Sequence, residues 1–269
     1  MHKCTGVLQA LVEVFKVGHR EDFLDKIDIL FEPVLNSEIT NKFMKKSTNL
    51  RKLKVKLAQR IGCIFLKPKV ATWRYKRGSR TLSHLKDSQQ DQAKAEEEDE
   101  EMLEEDDINF EQLEAIIQLM LESLKDDDSA VRWTAAKGIG RITQRLTKDF
   151  ADQIVEQLYD LFKETETDCS WHGGCLALAE LCRRGLLLPE RLDQYVPILD
   201  KALIYDVNRG NHSVGQHVRD AACYVVWSFA RAYSPEIMKP HVHTLSNKLL
   251  IVSLFDREIN CRRAASATF

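Results

Sequence analysis

Cys169, His172 and Cys175 stand at three-residue intervals, with Cys182 about two turns further on, and these side chains are ligands that zinc takes. On a helix the first and last of the three diverge, and no second cluster supplies a fourth ligand. The thiols read as structural, and no metal or cofactor is expected. Gly173 and Gly174 lie among them. A glycine pair can cradle phosphate, but no Gly-x-x-x-x-Gly-Lys run or preceding strand accompanies this one, so it reads as a close helix contact. Elsewhere there is no serine elbow, His-Glu metal motif or recognisable carboxylate pair, and the densest carboxylates fall in one acidic run that cannot hold them in register. The chain reads as a non-enzyme.

The elements that carry these residues repeat. Asp126 precedes Val131-Arg132 and the small residues Ala135-Ala136, and Asp256 precedes Cys261-Arg262 and Ala264-Ala265. Between these two copies lie Trp171-His172 with Cys175 and Ala177, and Val218-Arg219 with Ala221-Ala222. Taking the residue before the Arg position as the marker, the steps are 131 to 171, 171 to 218 and 218 to 261. That period of roughly forty residues is the signature of HEAT and armadillo arrays, so the fold expected is an all-α solenoid of helix hairpins. In each hairpin the second helix lies between its partner and the next hairpin, which requires small residues such as Ala135, Ala222 and Ala265 on its core face. The Asp six positions ahead of the Arg is placed in the turn to cap the second helix and to meet the Arg of a neighbouring repeat. Glu166 and His172 stand in those places in the second copy, and Ser213 stands ahead of Arg219 in the third. Leu53-Lys54 through Ile61-Gly62 aligns as an earlier second helix. No strand is expected, and Asp206 to Ser213 reads as a long loop.

Charge divides the chain where composition does not. The net charge is −2, yet Ile39 to Lys86 holds fifteen Lys or Arg and no acid, whereas Asp87 to Glu114 holds fourteen acids against Lys94. Three regions follow: helical repeats with a basic strip over 1–86, an acidic insert expected to be disordered over 87–107, and further repeats over 108–269. The last helix carries no Gly, Pro or cap before Phe269, so the array is expected to be cut inside its last hairpin. The first residues form an amphipathic stripe rather than a signal peptide, no run reaches the length of a membrane span, and the seven cysteines are odd in number. A reducing, cytoplasmic setting is expected.

Several runs together are more specific than the repeat. They are Phe65-Leu66-Lys67-Pro68-Lys69-Val70-Ala71-Thr72-Trp73-Arg74-Tyr75, Val131-Arg132-Trp133 with Ala135 to Arg141, Trp171-His172-Gly173-Gly174-Cys175 through Leu181, Arg183 to Pro189, and Val218 to Val225. With Phe255-Asp256-Arg257 and Asn260 to Ser266, they resemble the tubulin-specific chaperone D (tubulin folding cofactor D) family, over nearly the whole chain. The family protein is several times longer, so the chain looks like a section of its N-terminal half.

The resemblance implies a chaperone that binds beta-tubulin and assembles or takes apart the alpha/beta heterodimer. It also implies work with tubulin cofactor E and other tubulin cofactors, an ADP-ribosylation-factor-like small GTPase as partner, stimulation of GTP hydrolysis by tubulin within a complex, and a place at the microtubule cytoskeleton, centrosome or cell junctions. Lys67, Lys69, Arg74, Lys76 and Arg77 are the candidate partner-binding residues, because tubulin is acidic. Asp126, Arg132, Ala135, Trp171, Arg219, Ala222, Asp256, Arg262 and Ala265 are the candidate repeat-structural residues. Nucleic acid is disfavoured, since only Trp73 and Tyr75 interleave the strip and the acid block opposes phosphate. The alternative is a HEAT adaptor of transport or signalling type. Karyopherin-like grooves would pair tryptophans with asparagines, and Trp73, Trp133, Trp171 and Trp227 have no matching Asn.

Overall fold

The computed structural model describes residues 2–24, 26–27, 47–68 and 110–269. The acidic insert at 87–107, and Lys69, Arg74, Lys76 and Arg77 of the basic strip, lie outside the described residues.

Eleven helices form among the described residues. They are α1 (His2–Val17), α2 (Glu21–Leu24), α3 (Thr48–Phe65), α4 (Phe110–Ser123), α5 (Ser129–Thr143), α6 (Lys148–Leu158), α7 (Asp168–Arg183), α8 (Leu192–Leu203), α9 (Gln216–Ala232), α10 (Pro235–Phe255) and α11 (Ile259–Thr268). Short 3-10 turns, Tyr159–Phe162 and Pro189–Arg191, follow α6 and lead into α8. Each hairpin pairs a first helix with a second, as α4 with α5, α8 with α9 and α10 with α11. The second helices then stack on one another in the order α3, α5, α7, α9, α11, and α1 packs on α3. This is the solenoid that the period implied.

The small residues explain the stacking. Ala135, Ala222 and Ala265 are fully buried on successive second helices, where a longer side chain would hold the helices apart. Larger residues fill the seam between layers, among them Ile116, Met120, Leu158, Tyr195 and Phe229. Tyr195 is buried whole and sends its hydroxyl to the Val155 carbonyl at 2.5 Å, so the polar tip is satisfied across one repeat.

One expectation needs correction. Asp206 to Ser213 is not wholly loop: Val207–Arg209 (β1) pairs antiparallel with His212–Val214 (β2), Val207 opposite Val214. The hairpin turns at Gly210, whose φ of 62° is a left-handed value that glycine adopts without strain. It also accounts for the longest of the three steps, 171 to 218, because the other repeats turn without it.

Candidate interaction surface

The turns at one end of the stack are held by a recurring guanidinium joint. Arg132 donates from Nη1 to the carbonyls of Asp126 (2.6 Å) and Asp127 (3.0 Å), and Arg262 does the same to Asp256 (2.6 Å) and Arg257 (3.2 Å). Arg219 reaches the Tyr205 carbonyl at 2.8 Å. Three second helices thus pin their own entry turns with the same side chain.

The joint also reaches the next repeat. Arg219 makes a two-pronged pair with Asp256, Nε to Oδ2 at 2.6 Å and Nη2 to Oδ1 at 3.1 Å, with side chains only 6% and 5% exposed. At the first junction the equivalent pair is Arg51 with Asp126, at 2.7 and 3.1 Å. Sequence alignment put Lys54 at that place. Arg51 sits one helical turn earlier on the same face and does the work instead. Each Asp also accepts the backbone N–H two residues on, Asp128 onto Asp126 and Glu258 onto Asp256, both at 2.8 Å. The helix cap is a different residue from the one expected: Asp128, not Asp126, accepts from the Ala130 N–H at the start of α5. Three consecutive aspartates made that assignment ambiguous.

The central junction departs from this plan. Glu166 turns away to Lys125 at 2.7 Å, and Arg132 Nε donates to Nδ1 of His172 at 2.8 Å. Burial pushes His172 down to about 3, and the Arg132 guanidinium and His217 act in the same direction, so its imidazole is neutral. Its lone pair is occupied by a cation, which leaves no ligand there for a metal. Burial raises the Cys175 thiol strongly and carries Cys182 to about 12; neither is a ready thiolate.

The glycine pair is a contact point. A Cβ on Gly173 would fall 2.0 Å from the Leu124 carbonyl oxygen, and one on Gly174 would fall 2.7 Å from the Phe162 ring. Trp171 packs edge-on against Phe162 and donates Nε1 to the Lys163 carbonyl at 3.2 Å, fixing the start of α7. Every residue of α7 from Ser170 to Cys182 is buried. Part of that cover comes from its neighbours: Trp133 of α5 and Tyr224 of α9 meet across α7 with ring centroids 5.8 Å apart, and Trp227 stacks on Tyr224 at 5.9 Å.

A cluster that sequence reasoning missed lies beside those rings. Glu180 is 2% exposed at its side chain and accepts from Arg183 (2.9 Å), Arg184 (3.5 Å) and the Tyr224 hydroxyl (3.4 Å). A carboxylate inside the otherwise apolar run from Cys175 to Cys182, followed by two arginines, was the available signal. Lys67, the one described among the five candidate partner-binding residues, is half-buried just past the end of α3.

Stacked second helices joined by guanidinium pins define a helical-repeat scaffold of the armadillo and HEAT class. Residues 49–269 match the family described as "Tubulin-specific chaperone D-like, ARM repeats", and the chain belongs to that family. A Dictyostelium discoideum protein named Tubulin-specific chaperone D is 41% identical over 98% of this chain and 19% of its own length. A Schizosaccharomyces pombe protein named Tubulin-folding cofactor D is 31% identical over 97% of this chain and 24% of its own length. The chain therefore spans about a fifth to a quarter of the relatives it matches. Among solved structures, the karyopherin Kap121p bound to the extreme C-terminus of the protein phosphatase Cdc14p, and Kap121p bound to Ste12p, each match at a TM-score of 0.51 and 12% identity. Each match covers 98% of this chain and 27% of the karyopherin, and shows the fold alone. Among the described residues no helix is long and apolar enough to cross a membrane.

Proposed function

We propose that this chain is a tubulin-binding section of a tubulin-folding cofactor, gripping beta-tubulin along several repeats while the alpha/beta heterodimer is assembled or taken apart. The observation that carries the reading is the family match over 49–269, supported by two relatives whose names specify tubulin folding. The scaffold acts without catalysis of its own. It works in the cytoplasm with cofactor E and an ADP-ribosylation-factor-like GTPase, and any stimulation of tubulin's GTPase arises in that larger complex.

Lys67, Lys69, Arg74, Lys76 and Arg77 contribute electrostatically to capture, and Glu96 to Asp107 competes for the same surface. Each exposed pair is worth about 0.2–1 kcal/mol and is screened by salt, so five together change affinity by roughly tenfold. Reversing the five charges is expected to slow tubulin association and flatten its salt dependence, while deleting 96–107 strengthens binding at low salt. Association measured at two ionic strengths, with circular dichroism to verify folding, tests both. Failure of the unaltered chain to bind tubulin would overturn the reading as a whole.

A further inference from the structure

Along the second-helix layer, the described residues carry positive charge that other described residues do not fully neutralise. Arg60 on α3 and Arg141 on α5 make no hydrogen bond or ion pair among the described residues, and the Nε of Arg60 is buried without a partner. Arg60, Arg141, Arg145 and Arg184 all bear electrostatically on the Cys63 thiol, which places four guanidinium groups around the ends of α3, α5 and α7. Arg145 is committed to the carbonyls of Cys63 and Leu66, and Arg184 to Gln144 and Glu180. Arg184 is held below its ordinary range by burial, with Arg183 and Arg141 pushing the same way. Among the described residues the carboxylate that pairs with this group is Glu180, already shared by two arginines and a tyrosine.

The same face continues onto the aromatic cluster. Lys137 lies over the Trp133 ring and Arg231 over the Trp227 ring, each 5.1 Å from the ring centroid. Cations therefore run along the face from Arg60 through Arg141 and Arg183 to Arg231. The rings beneath are already occupied, Trp133 by Lys137 and Tyr224, and Trp227 by Arg231 and Tyr224, so they offer little free surface for stacking a nucleic-acid base. Guanidinium groups with free N–H donors donate to carboxylates in two-pronged pairs.

We propose that this face, from Arg60 across α5 and α7 to Arg231, is a docking strip for an extended, carboxylate-rich peptide segment of a partner protein. The inference goes beyond the tubulin reading and does not depend on the basic strip at 67–77. The peptide lies across successive second helices and supplies the carboxylates that Arg60 and Arg141 lack. It sits beside Trp133 and Trp227 and so changes their emission.

The test titrates the whole chain with a fluorescein-labelled decaglutamate peptide, reading anisotropy and tryptophan emission at two salt concentrations. Binding that weakens with salt is expected, with a loss of about tenfold or more in the Arg60→Glu, Arg141→Glu double variant. Reversing Lys148 and Lys239 on first helices should leave it unchanged, and circular dichroism verifies folding. No binding, equal loss in the first-helix variant, or tighter binding of a single-stranded oligonucleotide of the same charge would each overturn the proposal. Tubulin binding is measured in parallel. If tubulin binds and the peptide does not, this inference alone fails; if the peptide binds and tubulin does not, the tubulin reading fails.

Discussion

The junction of α9 with α11 and that of α5 with α7 occupy the same place in the repeat and solve the same problem with opposite electrostatics. In the first, Arg219 is buried against a carboxylate, Asp256. In the second, Arg132 is buried against a neutral imidazole, His172, on a helix of which thirteen of sixteen residues are buried. What both preserve is a guanidinium held to the carbonyls of its own turn. At these two junctions the partner of the guanidinium changes while its bond to its own turn is kept; α7 itself carries His172 at that place and ties its entry turn through Trp171 to the Lys163 carbonyl instead.

The sharpest way to break this comparison is Asp256→Ala, which leaves the buried Arg219 with only the half-exposed Asp206, 4.0 Å away, as counter-charge. A loss of about 3–5 kcal/mol is expected in a urea melt. A loss below about 1 kcal/mol would mean that the pair behaves like a surface bridge and that the two junctions do not differ as described. Next comes Gly173→Ala, where the added carbon meets the Leu124 backbone. Overpacking there is expected to cost about 3 kcal/mol, whereas Gly6→Ala, which meets nothing within 4 Å, should be neutral or stabilising. Equal melting temperatures for the two would show that α4 and α7 are free to separate.

Acid should distinguish the junctions as well. His172 has its folded value pushed down to about 3 from an ordinary 6.5, so the unfolded chain binds its proton first. Stability from this group is present above that ordinary value and declines as pH falls toward the folded one, by about 2 kcal/mol near pH 5. His172→Asn keeps an acceptor for Arg132 and removes the titration, so the difference in stability between the variant and the native chain should change across that window. A pH-independent difference would show that the imidazole does not carry the effect. The smallest change expected is from Arg51→Ala, about 1 kcal/mol or less, because its pair with Asp126 is 26% and 14% exposed. A cost rivalling that of Asp256→Ala would remove the distinction between outer and buried joints.

Much of this architecture was legible in the residues. Alanine pairs at a forty-odd spacing identified the stacked helices, and an aspartate six positions before an arginine identified the turn. The reading failed where position in space and position in the alignment part company. Arg51 replaces Lys54 because either side chain reaches the same spot from adjacent turns, and periodicity cannot rank them. The β1–β2 hairpin was invisible because its strands face solvent and carry Asn, Arg, His and Ser rather than an alternating apolar pattern. The arginine face was missed for a third reason. Its members come from four helices and are neighbours only after stacking, so no local run announces it.

The enclosure of α7 has a mechanical consequence. An array of helices bends by small rotations at each junction, and a junction turns only as far as its contacts slide. At α7 the glycine at 173 rests on a backbone carbonyl, and two aromatic side chains from opposite neighbours close over the helix, so rotation there must compress atoms already in contact. Resistance to bending is therefore expected to be greater at α7 than at the junctions on either side of it. If the array bends, the rotation is expected at the junctions toward α3 and α11 rather than at α7.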